Sequence, residues 1–226
     1  MSNSPLVEYV RLSPNHSGPR THKIDRITPH CFVGQVSVER IGQAFDKTSA
    51  QASCNYGIGT DGRVALIVDE ANRSWCSSSN PNDQRAVTIE CACEKNAPYA
   101  FNSNVYETLI ELCVDICKRN GKNKLVWIDN KDKALVYEPA SNEMLITVHR
   151  WFKNKACPGD WLYQRLGDLA AKVNAKLNPT TNNQAPSTKV IYRVQVGAYG
   201  VKENAEKMQK RLQDLGFDAI IKSEVR

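Results

Sequence analysis

The chain has 226 residues, 41% of them apolar, which suits one medium domain with a sizeable core plus something small. It carries 30 Lys and Arg against 24 Asp and Glu, a formal net charge of +6 that favours an anionic partner such as a bacterial wall without demanding one. No run of about 18 apolar residues is present, which excludes a transmembrane helix, and no interleaving of aromatic and basic residues marks a nucleic-acid surface.

The first eight residues lack the basic and long apolar regions of a signal peptide, so the expected product is made in the cytoplasm and reaches any external target by another route. Residues 1–22 read as irregular chain wrapping the surface, and the sequon Asn15-His16-Ser17 is set aside for want of a secretory context. A strand is predicted over 23–32 with His30 at its end, then a helix over 37–45 with Ser37 as N-cap. Residues 52–59 form a strand, Thr60-Asp61-Gly62-Arg63 a tight turn, and 64–68 the returning strand. A polar loop covers 77–84. In the strand over 85–93, Val87, Ile89, Cys91 and Cys93 share one face, and Ala86, Thr88, Glu90 and Ala92 the other. A long helix spans 103–119 and stops at Asn120-Gly121. A short strand at 125–128, an apolar run ending at Val148 and a helix over 161–177 follow.

Interleaved strands and helices predict an α/β domain, with a central mixed β-sheet flanked by helices. The expected organisation is a domain over 1–178, a polar, proline-containing linker over 179–189 and a tail over 190–226. In the tail, a strand over 190–196, a helix over 201–215 and a strand over 217–221 make one βαβ-like segment, too small to bury much by itself. The eight cysteines include no CxxC pair; Cys113 and Cys117 at helical spacing, and Cys91 and Cys93 on a strand, read as small apolar residues, and thiols are expected rather than disulfides.

The chemistry concentrates in 146–159, where His149, Lys155 and Cys157 precede Pro158-Gly159. Imidazole and thiolate are good zinc donors, but two ligands do not hold a metal. His30, also at a strand end, is the natural third, leaving a fourth position for water, as in catalytic zinc sites. Glu90 is then the candidate base and Lys155 the candidate oxyanion stabiliser. Alternatives stand beside this. Cys157 can be read as the nucleophile of a Cys–His peptidase, although Pro158-Gly159 follows it where a helix start is usual. Glu90 can be a solvated strand residue, Lys155 a plain surface lysine, and Trp75 either core or a sugar-stacking wall.

His30, Asn55-Tyr56-Gly57-Ile58-Gly59-Thr60-Asp61-Gly62, Arg85 through Glu90, and His149 through Gly159 together resemble the zinc-dependent N-acetylmuramoyl-L-alanine amidases. This type 2 amidase family is related to peptidoglycan-recognition proteins, and the likeness, over about residues 20–178, is greatest to phage and prophage endolysins of Gram-positive bacteria. It implies Zn2+ bound by His30, His149 and Cys157, with Glu90 and Lys155 catalytic. The implied reaction cleaves the amide between the lactyl group of N-acetylmuramic acid and L-alanine, in a wall reached after release from the cell. Asn55, Trp75 and Arg85 are the candidate substrate contacts. Some phage members carry a catalytic tyrosine where this chain has Cys54. Tyr56, two residues along the same strand and so expected on the same side, is the candidate replacement. The competing function is a peptidoglycan-recognition protein of the same fold that does not cut; such relatives typically lack the cysteine ligand that Cys157 supplies. The tail, from Tyr192 through Phe217, resembles half of a SPOR-like peptidoglycan-binding module, which makes pairing with a second copy a further expectation.

Overall fold

The computed structural model describes residues 2–179, 195–217 and 219–223, and the chain divides into two compact units, Met1–Thr180 and Thr181–Arg226. In chain order the first unit holds β1 (Val7–Val10), β2 (His16–Pro19), β3 (Arg26–Val33), α1 (Val38–Phe45), β4 (Tyr56–Ile58), β5 (Val64–Leu66), β6 (Asn72–Ser74), α2 (Asn80–Arg85), β7 (Ala86–Cys93), α3 (Ser103–Arg119), β8 (Lys124–Val126), α4 (Lys131–Val136), β9 (Glu143–Ile146), α5 (Asp160–Tyr163) and α6 (Leu166–Leu177). The second unit contributes α7 (Lys202–Asp214).

Seven strands form one sheet in the order β1-β5-β4-β7-β3-β9-β8, while β2 and β6 make a separate antiparallel pair. Within the large sheet only β4 and β5 run antiparallel, because the turn at Asp61-Gly62 joins them directly. The parallel neighbours need longer crossovers. β3 and β7 pair in register along all their residues, from Arg26 opposite Ala86 to Val33 opposite Cys93, which sets His30 directly across from Glu90.

The two faces of the sheet are used differently. On one, Val87, Ile89 and Cys91 join Leu109, Leu112, Cys113 and Ile116 of α3, with Leu166, Leu169 and Val173 of α6, in the main core. Full burial of one such aliphatic side chain stabilises by about 1.5–3 kcal/mol. On the other face Val38, Ile41 and Phe45 of α1 pack with Ala65 and Ile67. Gly57, paired with Glu90, permits the close approach of α1: a Cβ there would lie 2.8 Å from Cγ2 of Ile41. Because α1 packs on β4 and β5, the β3–β7 part of this face is left to polar side chains. There Thr28, Asn82 and Thr147, all buried, bond to one another across β3, α2 and the end of β9, and the Asn82 amide also donates to Ser77 Oγ.

The helices begin as the residue types require. Ser37 caps α1 by accepting from Arg40 N, and Asn102 caps α3 by accepting from Val105 N. Several expectations change. The first 22 residues are not irregular: β1 pairs with β5, and Ser4 N donates to the hydroxyl of Tyr56. Asn15 is 1% exposed and its amide donates to Phe45 O and Lys47 O, so the sequon is a structural strut. The loop expected over 77–84 contains α2, capped by Ser79 with proline in its first turn. The helix expected over 161–177 breaks into α5 and α6 at Gln164-Arg165.

The second unit departs further. α7 matches the expected helix, but none of its described residues is buried. Of the strand expected over 190–196, residues 190–194 lie outside the described residues. Residues 195–196, and the described part of 217–221, carry no ladder. Alternating apolar residues become a strand only when a neighbouring strand accepts their backbone hydrogen bonds.

Candidate metal centre

His30 lies on β3, almost fully buried at 1% exposure. His149 opens a single 3-10 turn, His149–Trp151, just after β9. Cys157 lies in the loop before α5, and its carbonyl accepts from Arg150 N at 3.1 Å. The Arg150 guanidinium holds the same loop through Asp160 and the carbonyl of Ala156, and stacks over the ring of Tyr163 at 4.8 Å. Gly159 closes the loop at φ +83°, where a Cβ would meet Pro98 O at 2.9 Å, so the Pro158-Gly159 turn demands glycine.

These elements bring one donor atom each of His30, His149 and Cys157 within 4.8 Å of one another. His30 Nδ1 is 3.2 Å from Cys157 Sγ, and the two imidazole centroids are 5.1 Å apart. His30 Nε2 is buried with no hydrogen-bond partner, as are Nε of Arg26, Arg73 and Arg150 and Oδ1 of Asp46 among the described residues. Burial, aided by His149, pushes the His30 pKa well below the usual value, and burial with the charge of Lys155 lowers that of His149. Both rings are therefore neutral, the form that ligates a metal. The Cys157 thiol gains from a hydrogen bond with Cys31, but burial and the charge of Glu90 outweigh it and hold the thiol protonated. A bound cation would reverse that, since a coordinating thiol is deprotonated outright. Two neutral imidazoles and a thiol from three separate elements fit a zinc ion.

Glu90 lies beside these donors, with Oε1 3.9 Å from His30 Nδ1 and 3.7 Å from Cys76 Sγ. Burial pushes its pKa up to about 7, against the Cys76 thiol, which lowers it. Lys155 is exposed, and its charge reaches His149. Trp75, Cys76, Ser78 and His149 line a shallow groove of about 320 Å³. Ser78 Oγ is 3.0 Å from His149 Nε2, and the Trp75 indole N–H donates to Ser17 Oγ at 2.7 Å. Trp75 is thus half-buried in the groove wall rather than in the core.

Three expected site residues are not brought to the groove. The carbonyl of Asn55 accepts from both Ile67 N and Val68 N, a bulge on the partner strand just beyond β5. Cys54 packs on the α1 face, while Tyr56, two residues on, turns into the α3 core. There the Tyr56 hydroxyl donates to Glu70 Oε1 at 2.6 Å and accepts from Ser4 N. Asn55 itself is fully buried; its amide donates to the carbonyls of Val68, Asp69 and Asn72, and its oxygen accepts from Arg20 and Thr88 N. Arg85 is paired with Asp25 and Glu138 at the start of β7, roughly 16 Å of strand from Glu90. Conversely, Cys76, Ser78 and Arg150 belong to the site. Only the Ser79-Asn80-Pro81 helix start hinted that the preceding loop is fixed in place.

Of the three donors only His149 lines the groove; three protein ligands is the number found in catalytic zinc sites, where structural ones have four. Residues 20–160 match the Amidase_2 family, N-acetylmuramoyl-L-alanine amidase, and the chain belongs to that family. Residues 165–226 match the SPOR domain. That match begins within residues that fold with the amidase unit, since Leu166, Leu169, Ala170 and Val173 of α6 are buried in its core. No curated protein is matched by the sequence. Among solved structures, a mutant endolysin from Bacillus subtilis aligns with 13% identity and a TM-score of 0.52, over 76% of this chain and 99% of its own. An AmpD derivative aligns with 16% identity and a TM-score of 0.52, over 75% and 99%. The catalytic domain of XlyA aligns with 11% identity and a TM-score of 0.50, over 73% and 97%. At these identities the likeness is one of fold: a mixed sheet flanked by helices. No helix among the described residues is long and apolar enough to cross a membrane.

Proposed function

We propose that the chain is a zinc-dependent amidase that hydrolyses the bond between the lactyl group of N-acetylmuramic acid and L-alanine in peptidoglycan, acting on the wall as an endolysin does. The convergence of His30, His149 and Cys157 within 4.8 Å, with Glu90 3.9 Å from His30, supports this reading best. Zinc, held by those three residues, supplies a Lewis acid that lowers the pKa of water to about 7.

The chain's own groups supply the rest. Glu90 takes a proton from the attacking water and returns it to the leaving amide nitrogen; a pKa of about 7 suits a group that must do both near neutral pH. The Cys76 thiol, 3.7 Å away, helps hold its carboxylate. Lys155, exposed beside His149, faces the negative charge that develops on the carbonyl oxygen. The Trp75 ring offers a flat wall to a sugar or peptide stem. The SPOR-domain match supports a tail that adds affinity for peptidoglycan, over a linker at 179–189 and a segment at 190–226. Digestion of purified peptidoglycan, with the new ends identified, tests the reaction. New N-terminal alanine is expected; new reducing sugar ends, or binding without release, would replace the proposal with another hydrolase or with a recognition protein.

A further inference from the structure

A second donor set lies against the first. His30, Cys76 and Glu90 each present a ligand atom within 4.8 Å of the others, a nitrogen, a sulfur and a carboxylate oxygen. Cys76 is aimed there by its backbone: its N–H donates to Asp83 Oδ2 at 3.1 Å, and the same carboxylate accepts from Ser77 N. Glu90 has a side chain 15% exposed, and among the described residues no lysine or arginine pairs with it; its neighbour at 3.9 Å is the His30 ring. A thiol, an imidazole and a carboxylate are all zinc-type donors, and they equally suit a softer thiophilic cation.

We propose that His30, Cys76 and Glu90 form an alternative metal seat, one that switches the site off. The two sets share the His30 imidazole, so they are alternative positions for one ion rather than seats for two. In the first, Glu90 is free to move protons. In the second, Glu90 is itself a ligand and no longer a base, and the Cys76 thiol loses its proton to solvent on binding. The shift needs no change of fold, since Glu90 and Cys157 both lie within 4 Å of His30 Nδ1. The proposal rests on reading His30, His149 and Cys157 as the active zinc set.

The seats are separated by breaking one at a time and measuring cadmium affinity of the full chain by competition with a chromophoric chelator. In the wild type, Cys76→Ser changes affinity little, because the first set remains. In a Cys157→Ser background, cadmium still binds with a thiolate charge-transfer absorption, and adding Cys76→Ser removes the absorption and lowers affinity about tenfold or more. Even partners outside a metal's ligand shell cost roughly 10–100-fold. Should Cys157→Ser fail to fold, His149→Gln takes its place, with the same loss of affinity expected on adding Cys76→Ser and a weaker absorption, since Cys157 remains. The inference is overturned if Cys76→Ser has no effect in either broken background. Failure of the underlying reading looks different: the wild type would then lose its cadmium on Cys76→Ser alone and be indifferent to Cys157→Ser.

Discussion

The amidase unit and the tail use similar residues to opposite effect. In the first, β3 and β7 pair along their full length, and α3 buries nine of its seventeen residues, packing on α6, β7 and β4. In the second, α7 is amphipathic too, yet no described residue of it is buried, and Leu215, Phe217 and Ile220 are 66%, 63% and 81% exposed. The difference lies in partners rather than in pattern. A helix face or an alternating run gains stability only from the surface it covers. In the amidase unit that surface also positions chemistry: register with β7 places Glu90 opposite His30, and the polar layer of Thr28, Asn82 and Thr147 links β3 and β9 to the loop carrying Cys76.

If this contrast is right, substitutions in the two units should differ sharply. The largest effect is expected at the site. Glu90→Gln should lower the rate of alanine-end release by roughly 10²–10⁴-fold, with circular dichroism and zinc content unchanged; full wall-lytic activity in that variant would remove Glu90 from its role. Next comes the core. Leu109→Ala, at a fully buried position on α3, should cost about 2–5 kcal/mol in denaturant unfolding. A smaller loss is expected for Tyr56→Phe, which deletes the bond to Glu70: about 1–3 kcal/mol, with the amidase rate at the wild-type level. A rate collapse in a folded Tyr56→Phe would show that this hydroxyl reaches the reaction after all. Least of all, Leu215→Ala in the tail should shift stability by no more than about 0.5 kcal/mol. A Leu215→Ala loss as large as that at Leu109 would mean the tail has a core of its own.

Much of the scaffold was legible because local chemistry and global pairing agree. Ser37 announces α1, Asn120-Gly121 ends α3, and Val87, Ile89 and Cys91 of β7 go to the core while Glu90 goes to the site, although Ala92 joins the core as well. The meeting of His30, His149 and Cys157 was also legible, since few residue types ligate zinc and this chain has only four histidines. What escaped depends on distant parts of the chain. β1 exists because β5 offers it an edge, which nothing in residues 7–10 reveals. Tyr56 is held in the α3 core by Glu70 and Ser4, partners distant in the chain. Cys76 looked like any loop cysteine until Asp83, seven residues later, fixed its backbone.

The central claim is that the three-donor centre holds zinc for hydrolysis. Its most direct measurement is release of N-terminal alanine from purified peptidoglycan by the wild-type chain, stripped of metal with a chelator and then given back one equivalent of zinc. Release should stop on stripping and return with the zinc; undiminished release from the metal-free chain would contradict the claim.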